Sequence, residues 1–277
     1  MRVGWSADGS PQPPREAVRG VVYRDLRLPN RPAWSDLTSA GPWAIDPGGR
    51  CDRHFHDCDE YWLIAGGAAL VEVDGERQRI AAGDVLCIER GRLHDIVELY
   101  APLRAFWLEG PVVPGGRAGS LHRDEVDALG HVVPLAHEEA GAPGAEPTGR
   151  AEPLVVRELT ATWRPAWSDL YSAGTFELSA DDHFERHFHP CDEYWLVRGG
   201  SALVELDRER VVVAPGDVLC IERGRVHDVV ELYAPLRAFW LQRGNDDARP
   251  RHASPEDATG HAVPLVTGPA GPGAGDG

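Results

Sequence analysis

"HFHDCDEYW" occupies residues 54–62, and "HFHPCDEYW" occupies residues 187–195. In an extended chain, residues two apart point to one face. His54 and His56 therefore project together, as do His187 and His189. Glu60 and Glu193 lie a further even step along. His94 and His227 stand just before the strand-like runs "DIVELY" and "DVVELY", from which a facing strand can deliver a third imidazole. Three nitrogens and one oxygen suit a divalent transition metal such as Fe, Zn, Mn, Ni or Cu. The spacing thus predicts one metal per copy, at His54, His56, Glu60 and His94, and at His187, His189, Glu193 and His227.

The repetition extends well beyond these stretches. At an offset of 133 residues "RPAWSDL" (31–37), "GDVLCIERGR" (83–92) and "ELYAPLRAFWL" (98–108) all return unchanged. A period of this length fits a duplicated domain better than a solenoid. The boundaries are placed at 17–137 for the first domain and 153–265 for the second. Residues 138–152, rich in Gly, Ala and Pro, read as a linker. Within each copy the runs are short, alternate with period two, and are broken by Gly, Pro or charge, which predicts an all-β sandwich or barrel. "YWLIAGGAALVEVDG" reads as two strands about a Gly-Gly turn, and "RDEVDALGH" as a short helix closed by Gly.

Composition narrows the partners. The chain has 277 residues and a net charge of −16, which argues against nucleic acid as a ligand. All of the 28 Lys+Arg positions are Arg, so Schiff-base chemistry on lysine is excluded. Five cysteines without a Cys-x-x-Cys pair do not make a disulfide scaffold. No apolar run has the length of a signal peptide or a membrane span, so no membrane partner and a cytoplasmic location are expected.

The two histidine motifs resemble those of the cupin superfamily. The first, G-x5-H-x-H-x3,4-E-x6-G, is met by Gly48, His54, His56, Glu60 and Gly67. Gly75, Gly83 and His94 follow in the order of the second motif, which keeps neither its prolines nor its closing Asn. The second copy departs at Asp181, in place of the opening Gly, and at Arg208, opposite Gly75. The resemblance implies a bicupin: two tandem double-stranded β-helix (jelly-roll) barrels, each with a 3-His-1-Glu centre. It also implies pairing by strand exchange, either in a homodimer or between the two domains of one chain.

The function implied is a metal-dependent enzyme acting on a small polar molecule, with oxygenase-type (dioxygenase-like) chemistry foremost. Non-redox isomerase, lyase or natural-product bond-forming chemistry is the alternative, and a binding or sensing module without catalysis is another. Glu60 and Glu193 are the candidate catalytic carboxylates. Trp62 and Trp195 share parity with them and can wall a pocket, while Arg104 and Arg237 could bind a substrate carboxylate in bidentate fashion. Cys58 and Cys191, an odd step from the second histidine, should point away from the metal. "PAWSDL" is expected to be an arm closing on the partner domain or subunit.

Overall fold

A computed structural model of the chain describes residues 4–5, 11–12, 20–136, 155–160, 164–244 and 250–266. The predicted linker and the Gly/Pro-rich tail lie outside the described residues. Antiparallel strands build two similar barrels. In the first, the strand Glu60–Val73 lies between Val85–Ile88 and the long strand His94–Glu109, which in turn pairs with Ser39–Ile45. In the second, Asp192–Leu206 lies between Val218–Ile221 and His227–Arg243, with Leu170–Leu178 beyond.

The Gly-Gly pair does not make a turn. Glu60–Val73 is one strand that bends at Gly67, and its partner runs unbroken from His94 to Glu109 with register shifts between Ala101 and Arg104 and between Arg104 and Ala105. Gly67 has φ +82, and a Cβ there would stand 2.0 Å from the Pro102 carbonyl oxygen; at Gly200 the distance to the Pro235 oxygen is 1.8 Å. Two barrel walls meet at that bend with no room for a side chain. Gly67→Ala should therefore cost on the order of 3–5 kcal/mol through combined clash and strain. Gly75→Ala, whose Cβ would meet nothing within 4 Å, should cost only about 1–2 kcal/mol for its φ of +86. Urea unfolding of the two variants checks this, and equal costs would show that the bend is not sterically closed. Asp181, at φ +66, takes the left-handed conformation that Gly48 takes at φ +80, so the departure from the motif preserves the turn.

Alternation along the strands divides each domain between two cores. Trp62, Ile64, Ala105 and Trp107 face the interior of the first barrel, and Trp195, Val197 and Leu219 that of the second. Residues of opposite parity, including Tyr61, Leu63, Phe106 and Leu108, join Tyr194, Leu196, Phe239 and Leu241 in a third core shared by both domains. The two barrels are thus sealed by apolar burial, the dominant favourable contribution in such an interface.

Exchange of segments completes the pairing. Val22–Tyr23, from the first half of the chain, add to the second domain's strand Val218–Ile221. Val155–Val156, leading into the second half, add to the first domain's Val85–Ile88. The strand exchange implied by the sequence therefore occurs within one chain. "PAWSDL" is indeed an interdomain arm. The Ser35 hydroxyl lies 2.9 Å from the Tyr194 hydroxyl across the interface, and Ser168 lies 2.8 Å from Tyr61 in the reciprocal contact. The short helix is found at Glu125–Leu129, capped by Asp124 and closed at Gly130.

Candidate metal centres

Each pair of strand ends brings the histidines together through the backbone. His54 and His94 form an antiparallel bridge, with His94 N donating to His54 O at 2.8 Å, and His187 pairs with His227 in the same way. The side chains then converge. In the first domain His94 Nε2 lies 3.2 Å from His54 Nε2 and 3.0 Å from Glu60 Oε2, which is 3.3 Å from His56 Nε2. In the second, His187 Nε2 lies 3.1 Å from both His189 Nε2 and His227 Nε2. Glu193 Oε2 is 3.3 Å and 3.2 Å from the nitrogens of His189 and His227. Donors bound about 2.0–2.2 Å from a common metal stand roughly 3.0–3.4 Å apart, so these spacings fit one ion among all four groups in the first domain and among the three imidazoles, with Glu193 beside two of them, in the second.

The hydrogen-bond inventory agrees. His56 Nε2, Glu60 Oε2 and Glu193 Oε2 are buried without a hydrogen-bond partner, an arrangement that costs stability unless something else satisfies them. The far ring nitrogens are held instead: His54 Nδ1 lies 3.0 Å from Asp52 O, His94 Nδ1 3.0 Å from Arg92 O, and His227 Nδ1 3.2 Å from Arg225 O. His187 Nδ1 meets Glu185 O. A carbonyl accepts only from N–H, so each contact leaves the Nε2 lone pair facing the site.

Electrostatics set the charge states of the same groups. Burial and the adjacent His94 push His54 down to about 4, and burial with His227 does the same to His187. Both rings are therefore neutral at pH 7 and able to ligate. Burial opposes a charge on His56, but the Glu60 and Glu109 carboxylates outweigh it and raise that ring to about 9. Burial also opposes the charge on Glu60 and Glu193, yet the flanking histidines hold both carboxyls well below the usual range.

For the metal-free protein the sign follows. His54 and His187 bind protons more readily when unfolded, so their contribution to stability is full above pH 6.5 and is lost as pH falls towards 4. The loss should reach at most about 3 kcal/mol per ring. Urea midpoints measured with chelator present should fall across that window; a flat profile from pH 6.5 to 4 would contradict the neutral-ligand assignment.

The remaining sequence-derived residues divide. Trp62 is buried with its ring 5.5 Å from that of His94, and Trp195 stands 5.7 Å from His227. Trp195 also lines a cavity of about 430 Å³ with Phe176, Leu178, Phe184, Trp240 and the second-domain His/Glu cluster. Arg104 and Arg237 are not brought to either centre. Their parity sets them opposite the barrel interior: Arg104 donates to Asp46 at 2.8 Å, and Arg237 is exposed. Cys58 does not turn away as parity suggested. Residues 57–58 bend, and the Cys58 thiol joins His56 and Glu109 in a buried cluster whose candidate ligand atoms lie within 4.8 Å of one another. Burial and then Glu109 push that thiol up, which keeps it protonated. All five cysteines are free.

Glu109 is the residue that motif reading missed. Its Oε1 lies 3.6 Å from His56 Nδ1 and its Oε2 accepts from Ser39 Oγ at 2.7 Å. The signal was present: "ELYAPLRAFWL" is identical in both copies, and the next residue is Glu109 in one and Gln242 in the other.

Comparison with known proteins places these features in a family. The Cupin domain family matches residues 42–109 and 174–241, once in each barrel. The chain is a two-domain cupin, and each domain carries a His/Glu cluster suited to a divalent transition metal. An uncharacterized protein of Sinorhizobium fredii, y4oW, is 36% identical over 70 residues, covering 25% of this chain and 32% of its own. The chain thus spans about a third of that relative. Oxalate decarboxylase from Bacillus subtilis, in its structure at pH 4.6, superimposes with a TM-score of 0.65 at 14% identity, covering 93% of this chain and 81% of that one. A four-residue substitution mutant of the same enzyme gives 0.66 at 14% identity, over 91% and 79% of the two chains. At this identity the likeness is one of fold. Among the described residues no helix is long and apolar enough to cross a membrane.

Proposed function

We propose that the chain is a metal-dependent enzyme that binds a small molecule at a 3-His-1-Glu centre and carries out oxygenase-type chemistry on it. The observation that carries the reading is the pair of carboxylate oxygens, Glu60 Oε2 clustered with three imidazoles and Glu193 Oε2 beside two, both buried with no hydrogen-bond partner. A divalent metal there supplies Lewis acidity and, for a redox-active ion, electron transfer to a bound oxidant. Glu60 and Glu193 would complete each ligand set.

The cavity beside the second centre refines the substrate. Its described walls are Phe176, Leu178, Phe184, Trp195, Trp240 and Pro250, with polar groups confined to the floor of His187, His189, Glu193 and Gln242 and to Glu177. No arginine lines it among the described residues. A ligand with a polar, metal-binding head and an apolar or planar body fits such walls better than a small dianion. This narrows the small polar molecule expected from the sequence to one with an apolar portion.

The test is elemental analysis of the purified chain, followed by oxygen-uptake assays after reconstitution with Fe, Mn, Ni, Cu or Zn and a panel of aromatic and aliphatic hydroxy and keto compounds. Oxygen consumption coupled to product supports the reading. Turnover of a compound without oxygen would replace it with non-redox chemistry. A bound compound recovered unchanged under every metal would reduce the protein to a binding module.

A further inference from the structure

The two centres share their four candidate ligand types but not what lies behind the second histidine of the His-x-His pair. In the first domain, His56 Nδ1 lies 3.1 Å from Gly119 O and 3.6 Å from Glu109 Oε1. Glu109 is anchored from behind, because Ser39 Oγ donates to it at 2.7 Å and Trp107 Nε1 donates to Ser39 Oγ at 2.8 Å. Glu109, His56 and Ser39 are all at most 4% exposed, so solvent does little to screen the carboxylate. In the second domain Ser172 donates to Gln242 Oε1 at 2.8 Å, which turns the Gln242 amide nitrogen towards His189, 3.2 Å from Nδ1 and 3.4 Å from Nε2. An N–H in that position competes for a lone pair on the ring. Turning the amide over would supply an acceptor, but as a dipole rather than a charge. A cation in the first centre is thus surrounded by two buried carboxylates, and one in the second by a single carboxylate.

We propose that Glu109 adds buried negative charge behind His56, whose Nδ1 is held by Gly119 O, so that the amino-terminal centre binds a divalent metal more tightly than the carboxy-terminal one. A buried carboxylate 3.6 Å from a ligating ring raises the ring's basicity and stabilises a cation bound to it, and loss of such an outer group typically weakens metal binding about 10–100-fold.

The inference rests on the metal reading above, and the experiment separates the two. Two full-length single-centre proteins, His187→Ala/His189→Ala and His54→Ala/His94→Ala, are titrated with Zn2+ against a chromophoric chelator. The first, which keeps the amino-terminal centre, should bind at least about 10-fold more tightly than the second. Glu109→Gln should remove most of that advantage, and Gln242→Glu should confer it on the carboxy-terminal centre. Melting of the metal-free proteins is the control: a purely structural role for Glu109 would lower the melting temperature and leave the affinity difference in place. If Glu109→Gln fails to fold, the gain expected from Gln242→Glu decides. Equal affinities in the two single-centre proteins, or no response to either exchange, overturn the inference and leave the metal reading intact. Failure of both single-centre proteins to bind Zn2+ overturns the metal reading itself.

Discussion

His94→Ala should reduce the metal content from two ions per chain to one, His227→Ala should do the same, and the double variant should carry none. His94 is 1% exposed and His227 0%. Each nitrogen sits within about 3.0–3.2 Å of its centre's glutamate and first histidine. Alanine removes one of four donors and opens a void beside Trp62 or Trp195 that water can enter. Loss of a ligand should exceed the roughly 100-fold cost of losing an outer partner. Stability follows by mass action. A centre filled at about a thousand times its dissociation constant contributes about 4 kcal/mol to the native state. The wild-type protein should therefore melt several degrees lower in chelator, and each single variant should lose part of that difference. Elemental analysis beside thermal melting reads both effects. Two ions retained by His94→Ala would remove that residue from the ligand set.

These centres were legible because their chemistry is written in local spacing. His-x-His on an extended chain needs no tertiary information to place both rings on one face. The duplication identified the distant partner, since His94 and His227 recur at the same remove from their pairs. What failed were inferences that assumed regular geometry. Cys58 was assigned to the outer face by counting alternate residues, but the chain bends at 57–58 and the count does not survive the bend. The Gly66-Gly67 pair suggested a hairpin by composition, whereas the close approach of Pro102, which only folding creates, requires a glycine in mid-strand. For Arg104 and Arg237 regular geometry is instead the better guide, since charge alone offers them as substrate ligands. Their strand parity, opposite to Ala105 and Trp107 and to their copies, already set them away from the barrel interior. Glu109 needed comparison of the two copies with each other rather than with a motif.

The same comparison marks a charged contact that adds to the apolar joint between the domains. At the offset that relates the copies, Gly110 corresponds to Arg243. Arg243 is 5% exposed and receives both arms: Asp36 Oδ1 at 2.5 Å from one "PAWSDL" segment, and Asp169 from the other. Burial alone would favour a neutral guanidinium, but Asp169 and Asp36 raise it further and keep it charged. At the equivalent place a Cβ on Gly110 would stand 2.8 Å from Asp169 Oδ2, so glycine leaves room for the single arginine to serve both aspartates. Arg243→Ala should destabilise the protein by about 2–4 kcal/mol, below the top of the range for breaking a buried ion pair because Asp36 is well exposed to solvent. Asp36→Asn should cost under about 1 kcal/mol, since its side chain is 63% exposed. Asp169→Asn should lie between them, because that carboxylate also accepts from the Tyr61 hydroxyl at 3.1 Å. Urea unfolding followed by tryptophan fluorescence reads the order. The joint carries both exchanged segments, so Arg243→Ala should also broaden the transition or split it in two as the barrels begin to unfold separately. A single transition shifted by less than about 0.5 kcal/mol would show that the Arg243 ion pairs add nothing to the shared apolar core.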